Sequence, residues 1–349
     1  MYKPAHQVIV ERNLCWERVR DRLNRFEHIG KQFDIDELRK YSQSPPYYCH
    51  YMAWRLGTWH SDHLFENTDL LIDIASALPN WKVERSILKD CEYSAYWSLL
   101  WQLQVAKALA ERGAVPAWNK RPDLVCEHDG ATFYVECTSF RKSFGIQEYV
   151  ADLFSYIDSN IKVDHAWWLP FKLPQGKKTN AFLDELFRPY LDRDFLLPLR
   201  RKAAMEYPVM LPVPGGAQNL RLFLEGRDVT AYRTGENAQG NPDSSLDIML
   251  QEIVNNKRGK NNLSLCRPNA LAVSFLVSPE VSVALERCTG LKNQLPEPNL
   301  GPELDAVLYS WCGIDEELDD HNVHVFVRDA SHPLTQMFPS NWQRIGGNQ

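Results

Sequence analysis

Residues 121–138 read Arg-Pro-Asp-Leu-Val-Cys-Glu-His-Asp-Gly-Ala-Thr-Phe-Tyr-Val-Glu-Cys-Thr. Near the middle, Asp129-Gly130 favours a type I′ turn, because this turn needs positive φ at both of its central positions. Residues with a high preference for strands flank the pair, over 124–126 and over 132–135. The stretch therefore predicts a β-hairpin with Asp129-Gly130 at its tip.

The position of the turn also predicts which residues face each other across the hairpin. With that turn at the tip, Asp123 lies directly opposite Glu136 at the open end. Directly opposed side chains share one face of a sheet, with Cβ atoms about 5 Å apart. Two carboxylates so placed repel each other unless a cation lies between them, and hard divalent metal ions prefer oxygen ligands. Thr138 is expected on this same face. The alternate residues of the second strand are expected to point into a core, namely Phe133, Val135 and Cys137.

A helix and a short strand precede the hairpin. Over residues 91–113 apolar side chains recur at helical spacing, and Gly113 favours a C-terminal stop. Residues 115–118 predict a strand, and residues 146–160 predict a helix after the hairpin. The predicted order is therefore a helix followed by three strands, with one acid on the second strand and one on the third.

This arrangement resembles the active-site hairpin of the PD-(D/E)XK nuclease superfamily, whose fold is called restriction-endonuclease-like. Pro122-Asp123 matches the PD element, and Glu136-Cys137-Thr138 matches the (D/E)XK element. A helix and three strands, with acids on the second and third, is also the order of that core. The resemblance covers residues 92–334 with gaps. It implies an α/β fold with a central mixed β-sheet flanked by helices, here preceded by a helical N-terminal region.

The resemblance also implies a chemistry for these residues. In the family, the two acids and the carbonyl between Glu and Lys bind magnesium, so Asp123, Glu136 and the Cys137 carbonyl would hold Mg²⁺ or Mn²⁺. The implied activity is hydrolysis of phosphodiester bonds in DNA, as in restriction, repair or phage defence. Two alternatives stay open. One is a catalytically inactive nuclease fold that binds nucleic acid or a partner protein, and the other is a structural protein whose hairpin acids are surface residues.

The chain departs from the family pattern at two positions. Thr138 stands where the motif Lys is expected, and Gln102 stands where the first core helix often carries a Glu. Some members supply the Lys from another element, and Lys142 and Lys257 are the two candidates for that role here. Gln102 is expected to act as an outer metal ligand or to position water.

Charge limits how the chain binds nucleic acid. The net charge of −6 argues against binding by bulk electrostatics, because phosphate contacts need positive charge. A local basic groove is still compatible with it, and we expect Arg121, Arg141 and Lys260 to contact phosphates. The resemblance also allows a homodimer, because many nucleases of this kind cut both strands as dimers.

Composition places the chain among globular proteins. Of its 349 residues 44% are hydrophobic, which is enough for a sizeable core. We expect no membrane span, because no apolar run reaches about 18 residues. The eight scattered Cys residues predict reduced thiols and a cytoplasmic location.

The chain is predicted to have three regions. Residues 1–90 form a helical N-terminal region, residues 91–335 form the nuclease-like core, and residues 336–349 form a C-terminal tail. An insertion at about 165–245 interrupts the core, with a strand candidate at 220–225. Past the insertion, the core is predicted to continue with a helix over 246–257 and strands over 270–277, 304–310 and 323–327, the last being the final strand.

Overall fold

The computed structural model describes most of the chain, but with gaps. The described residues are 3–42, 50–58, 62–84, 88, 93–139, 156, 165–168, 179–192, 194–196, 198, 209–212, 219–224, 251–258, 263–274, 295, 297–311 and 317–345. The predictions made for Arg141, Lys142 and Lys260 lie outside these residues, and so does nearly all of the helix predicted over 146–160.

Helices fill the N-terminal part of the chain, as predicted. They are α1 Ala5–Asn13, α2 Trp16–Arg25, α3 Glu27–Gln32, α4 Ile35–Tyr41, α5 Tyr51–Thr58, α6 His63–Ala77, α7 Trp81–Glu84 and α8 Tyr93–Glu111. Later helical segments include Thr179–Phe187, residues 251–257 and Pro333–Met337.

Ten strands are described. They are β1 Val115–Trp118, β2 Leu124–His128, β3 Ala131–Ser139, β4 His165–Trp168, β5 Val209–Pro212, β6 Asn219–Leu224, β7 Asn269–Ser274, β8 Ala306–Ser310, β9 Val323–Val327 and β10 Trp342–Arg344. The predicted strands at 115–118, 220–225 and 323–327 are thus confirmed.

The chain divides into two compact units, each made of several stretches. The first unit comprises residues 1–19, 38–59 and 142–240. In it, β4, β6 and β5 form an antiparallel sheet in that order. Helix α1 packs against the helix Thr179–Phe187, where the Ala5 N–H donates to the Asp184 carboxylate.

The second unit comprises residues 20–37, 60–141 and 241–349, and it contains the hairpin. Seven strands form one mixed sheet in the order β1-β2-β3-β7-β8-β9-β10. The pairs β1–β2, β2–β3 and β8–β9 are antiparallel, whereas β3–β7, β7–β8 and β9–β10 are parallel. The predicted α/β class with a mixed sheet flanked by helices is therefore confirmed.

One prediction about the C-terminal part is corrected. Strand β9 is followed by β10, so it is not the final strand, and the predicted tail contributes a sheet edge. Strand β10 has only the residues Trp342–Arg344, which is too short to give an alternating pattern of apolar and polar side chains.

Helix α8 ends as its sequence predicts. Gly113 has a φ of 85°, and the Ala114 N–H donates to the Leu109 carbonyl at 3.0 Å. The Gly113 N–H donates to the Ala110 carbonyl at 3.1 Å. Together these bonds form a Schellman motif, in which a residue of left-handed conformation satisfies the last carbonyls of the helix. The turn then directs the chain into β1.

The strand register assigns the residues around the hairpin to two faces of the sheet. Glu136 is level with Leu271, which is level with Val307, so these side chains share one face. That face is covered by a core cluster to which Val254, from the 251–257 helix, belongs. Cys137 is level with Ala272 on the opposite face.

Helices α6 and α8 contact the opposite face. Trp118 of β1 shares that face with Leu124, and its indole N–H donates to the Ala75 carbonyl of α6 at 3.0 Å. Trp101 of α8 donates to the Ala272 carbonyl at 3.2 Å. Within the described residues, no helix has the length and apolar character that a membrane crossing requires.

Candidate metal centre at the open end of the hairpin

The hairpin has the predicted register. Leu124 pairs with Val135, and Cys126 pairs with Phe133. Asp129 and Gly130 have φ values of 48° and 77°, as a type I′ turn requires. Asp123 therefore comes one residue before the ladder on the first strand, at the level of Glu136 on the second.

Asp123 is held by a backbone bond across the hairpin. Its Oδ2 accepts a hydrogen bond from the Cys137 N–H at 2.7 Å, and its carbonyl accepts one from the Asn119 N–H at 2.9 Å. The carboxylate thus takes the place of the next rung, because the ladder between β2 and β3 ends at Leu124. One carboxylate oxygen is fixed against β3, which positions the side chain beside Glu136.

Glu136 is a buried acid with a cationic partner. The residue is 2% exposed, and its Oε1 lies 3.6 Å from Nζ of Lys257. Lys257 stands at the end of the 251–257 helix, and its side chain remains 32% exposed. Removing a carboxylate from water costs several kcal/mol unless a partner compensates, and the nearby ammonium group offsets part of that cost.

Cys137 contributes its backbone to the site. Its N–H points toward β2, because it donates to Asp123. In a strand, the N–H and C=O of one residue point to the same neighbouring strand, so the Cys137 carbonyl also points toward Asp123. Its thiol lies on the opposite face, where the residue is 7% exposed.

The donor set fits a hard divalent cation. Two carboxylates and one peptide carbonyl are all oxygen donors, as Mg²⁺ prefers, and Mg²⁺ is often held by one or two carboxylates together with water and substrate phosphate. Within the described residues no group of three or more His, Cys, Asp and Glu side chains converges on a metal position. Asp123 and Glu136 would be the side-chain ligands of a metal at this position.

Thr138 lies on the Glu136 face but brings no charge. It is half-buried on β3, level with Val273 of β7. Lys257, one of the two candidates for the displaced Lys, has its Nζ 3.6 Å from Oε1 of Glu136. Lys142, the other candidate, is outside the described residues.

Gln102 is separate from these groups. It is 7% exposed on α8, and its Oε1 is buried without a hydrogen-bond partner. Helix α8 packs on the face of Cys137, whereas Glu136 points to the opposite face. Among the hydrogen bonds and ion pairs of the described residues, none joins Gln102 to the acids. The predicted role of Gln102 as an outer ligand has no contact to support it.

Three residues close to the two acids along the hairpin sequence are exposed or half-buried. Arg121, two residues before Asp123, is exposed. Tyr134 and Val125 are level with each other on the Glu136 face, and both are half-buried. Sequence reasoning missed Tyr134, although strand alternation already places it on the same face as Glu136.

Comparisons with known proteins assign no family to the chain. No protein-family model matches it, and neither the curated proteins nor the solved structures give a significant match. An assignment of function therefore depends on the geometry of the hairpin and on its motif.

Proposed function

We propose that the protein is a metal-dependent nuclease that hydrolyses phosphodiester bonds in DNA. The observation that carries the proposal is the 3.6 Å approach of Lys257 Nζ to Glu136 Oε1, on the hairpin where Asp123 is the second acid. An ammonium group beside Glu136 supplies the third charged group that a PD-(D/E)XK site requires, and Thr138 does not.

The order of elements supports a divergent restriction-endonuclease-like core. Helix α8 is followed by β1, β2 and β3, with Asp123 directly before β2 and Glu136 within β3. This is the order on which the resemblance depends. Strand β3 then pairs in parallel with β7, so the acid-bearing strand is central in the sheet.

The proposed cofactor is Mg²⁺ or Mn²⁺, held by Asp123, Glu136 and the Cys137 carbonyl. Such a metal lowers the pKa of a bound water and stabilises the charge that develops on the phosphorus. The chain itself fixes Asp123 through the Cys137 N–H, so the carboxylate needs little rearrangement on binding.

Lys257 takes the role of the missing motif Lys in this proposal. Its ammonium group has three N–H donors, and its side chain reaches solvent, so it can donate to a phosphate oxygen beside Glu136. Arg121, Arg141 and Lys260 are proposed to contact neighbouring phosphates. The half-buried pair Val125 and Tyr134 offers the substrate an approach to this face.

A cytoplasmic location and action in restriction, repair or phage defence belong to the same proposal. So does a homodimer that cuts both strands of DNA. We infer them from the class of enzyme, because stand-alone nucleases with this motif often act in restriction, repair or phage defence.

Nicking of supercoiled plasmid with Mg²⁺ or Mn²⁺ tests the proposal. We expect wild type to nick DNA. We expect the nicking rate to fall about 100-fold or more in each of Asp123→Asn, Glu136→Gln and Lys257→Met, since mutation of the residues that support metal ligands already lowers activity about 10–100-fold. Lys82→Met is the matched control, because Lys82 is exposed on α7. Wild-type activity that survives Glu136→Gln contradicts the proposal.

A second candidate is a catalytically inactive nuclease fold that binds nucleic acid or a partner protein. The uncharged Thr138 and the isolated Gln102 favour it. It predicts that wild type retains DNA in a gel-shift assay yet cleaves none with either metal, and that Glu136→Gln binds DNA as well as wild type does.

A further inference from the structure

The side chains of Glu136 and Lys257 differ in how much they can move. Glu136 is fixed on a central strand and is 2% exposed, whereas the Lys257 side chain is 32% exposed. Val254, one turn earlier on the same helix, is fully buried in the core cluster. The helix backbone is therefore anchored, while the ammonium group can leave Glu136 for solvent by rotation of its own flexible stem.

We infer that Lys257 is a resident counter-cation of Glu136 and that it exchanges with the divalent metal. The inference deepens the proposed function and depends on it. In the metal-free protein Lys257 neutralises the buried carboxylate. When a metal binds, Lys257 moves away from Glu136 toward the substrate side. Lys257 thus stabilises the empty site and weakens metal binding.

The physical reason is that both cations use the same carboxylate. The Lys257 ammonium lies 3.6 Å from Oε1 of Glu136, which is closer than the separation at which salt screens two charges. A divalent ion bound to Glu136 would lie close to that ammonium and repel it. Moving the ammonium away costs free energy, and that cost reduces the apparent affinity for the metal.

Calorimetric titration of the full chain with Mn²⁺ measures this cost. We expect Lys257→Met, which keeps the length of the stem but removes the charge, to bind Mn²⁺ about tenfold more tightly than wild type, or about 1.4 kcal/mol. We expect Lys257→Arg to bind like wild type. In EDTA, Lys257→Met should unfold at a lower temperature than wild type, and Mn²⁺ should restore its stability.

Arg258→Met is the matched control. Arg258 follows Lys257 directly, but its guanidinium lies 3.8 Å from Glu303 and so belongs to another ion pair. Removing this charge tests whether any cation at this helix end weakens metal binding. We expect the Mn²⁺ affinity of Arg258→Met to equal that of wild type, and an increase equal to that of Lys257→Met contradicts the inference.

Chemical labelling of lysines tests the exchange on wild type alone, so it does not depend on whether a variant folds. An amine-reactive ester labels exposed lysines, and mass spectrometry gives the rate at each site. We expect Mn²⁺ to increase labelling of Lys257 and to leave Lys82 unchanged. An unchanged rate at Lys257, or an equal or weaker Mn²⁺ affinity in Lys257→Met, overturns the exchange.

Failure of the proposed function would look different. In that case wild type binds no Mn²⁺, or binds it equally well after Glu136→Gln. The exchange is rejected on its own when wild type binds Mn²⁺ through Glu136 but Lys257→Met does not change the affinity.

Discussion

The Asp123 carboxylate accepts a 2.7 Å hydrogen bond from the backbone N–H of Cys137, across the open end of the hairpin. The bond extends the pairing of β2 and β3 by one rung beyond Leu124 and Val135. It orients an acid that would otherwise be a mobile residue after a proline. The hairpin therefore positions Asp123 before any ligand binds.

Asp123→Ala should reduce stability as well as activity. The substitution leaves the Cys137 N–H without its acceptor, and an unsatisfied donor that is partly buried costs about 1 kcal/mol or more. Urea unfolding in EDTA measures the change without any contribution from metal. Glu127→Ala is the control, because Glu127 is exposed on β2, the strand that follows Asp123. Equal midpoints for the two variants contradict the prediction.

Thr138→Lys should rescue the loss of Lys257. Thr138 shares the Glu136 face, so a Lys at 138 places an ammonium group where PD-(D/E)XK nucleases carry their motif Lys. We expect the double variant Lys257→Met/Thr138→Lys to nick plasmid about tenfold faster than Lys257→Met alone, because the two positions supply the same charge.

The control for this rescue is Thr132→Lys in the Lys257→Met background. Thr132 is exposed on the same face of β3, nearer the turn. A general gain in DNA affinity from one more Lys would make both double variants faster. The prediction holds only if the nicking rate increases with Lys at position 138 and not with Lys at position 132.

Gly130→Ala should destabilise the hairpin through its backbone. Gly130 has a φ of 77°, and nothing lies within 4 Å of where a Cβ would stand. The cost is therefore conformational and not steric, at about 1 kcal/mol for a residue with a Cβ in this region. Gly130→Asn should cost less, because Asn tolerates this conformation. Thermal unfolding compares the two, and an equal loss in both would contradict this explanation.

His332 predicts a dependence of stability on pH. Its Nδ1 accepts from the Leu334 N–H at 3.3 Å, and its Nε2 lies 3.3 Å from the Asn269 carbonyl. These contacts fit the neutral ring with its proton on Nε2. Burial lowers the pKa of His332 from 6.5 to about 4. The unfolded chain therefore takes up a proton at a higher pH than the folded chain does.

The free energy of unfolding should consequently fall as the pH decreases from 6.5 to about 4. Above that range the contribution is fully present, because His332 is neutral in both states. The difference in the pKa of His332 between the unfolded and folded chains corresponds to a loss of about 3 kcal/mol in the free energy of unfolding. His332→Asn keeps an acceptor for the Leu334 N–H but does not titrate, so its unfolding free energy should fall less over this range. His321→Asn, at an exposed position, should keep the wild-type slope.

The local parts of the fold could be predicted from the sequence. The Asp-Gly turn and the alternation beside it fix the hairpin register, because both signals come from neighbouring residues. Gly113 and the apolar spacing before it likewise define the end of α8. The strands β4 and β5 were not predicted, since they are short and lie in a stretch rich in Pro and Gly, without a clear period of two.

The site was less predictable than the fold. Lys257 and Lys142 were equal candidates, and the ion pair of Lys257 with Glu136 could not be predicted because the two residues are distant in sequence. Gln102 was assigned to the site from spacing alone. Helix α8 is buried on all sides, so its apolar pattern does not indicate which residues face the sheet.

The ion pair at the site joins an early segment of the chain to a late one, and this sets an order during synthesis. The ribosome completes the hairpin, with both acids, long before Lys257 leaves the exit tunnel. Strand β3 also cannot pair with its parallel neighbour β7 until the ribosome has synthesised β7. A nascent chain therefore carries Glu136 before Lys257 can pair with it, and this ion pair forms only when most of the protein has been made.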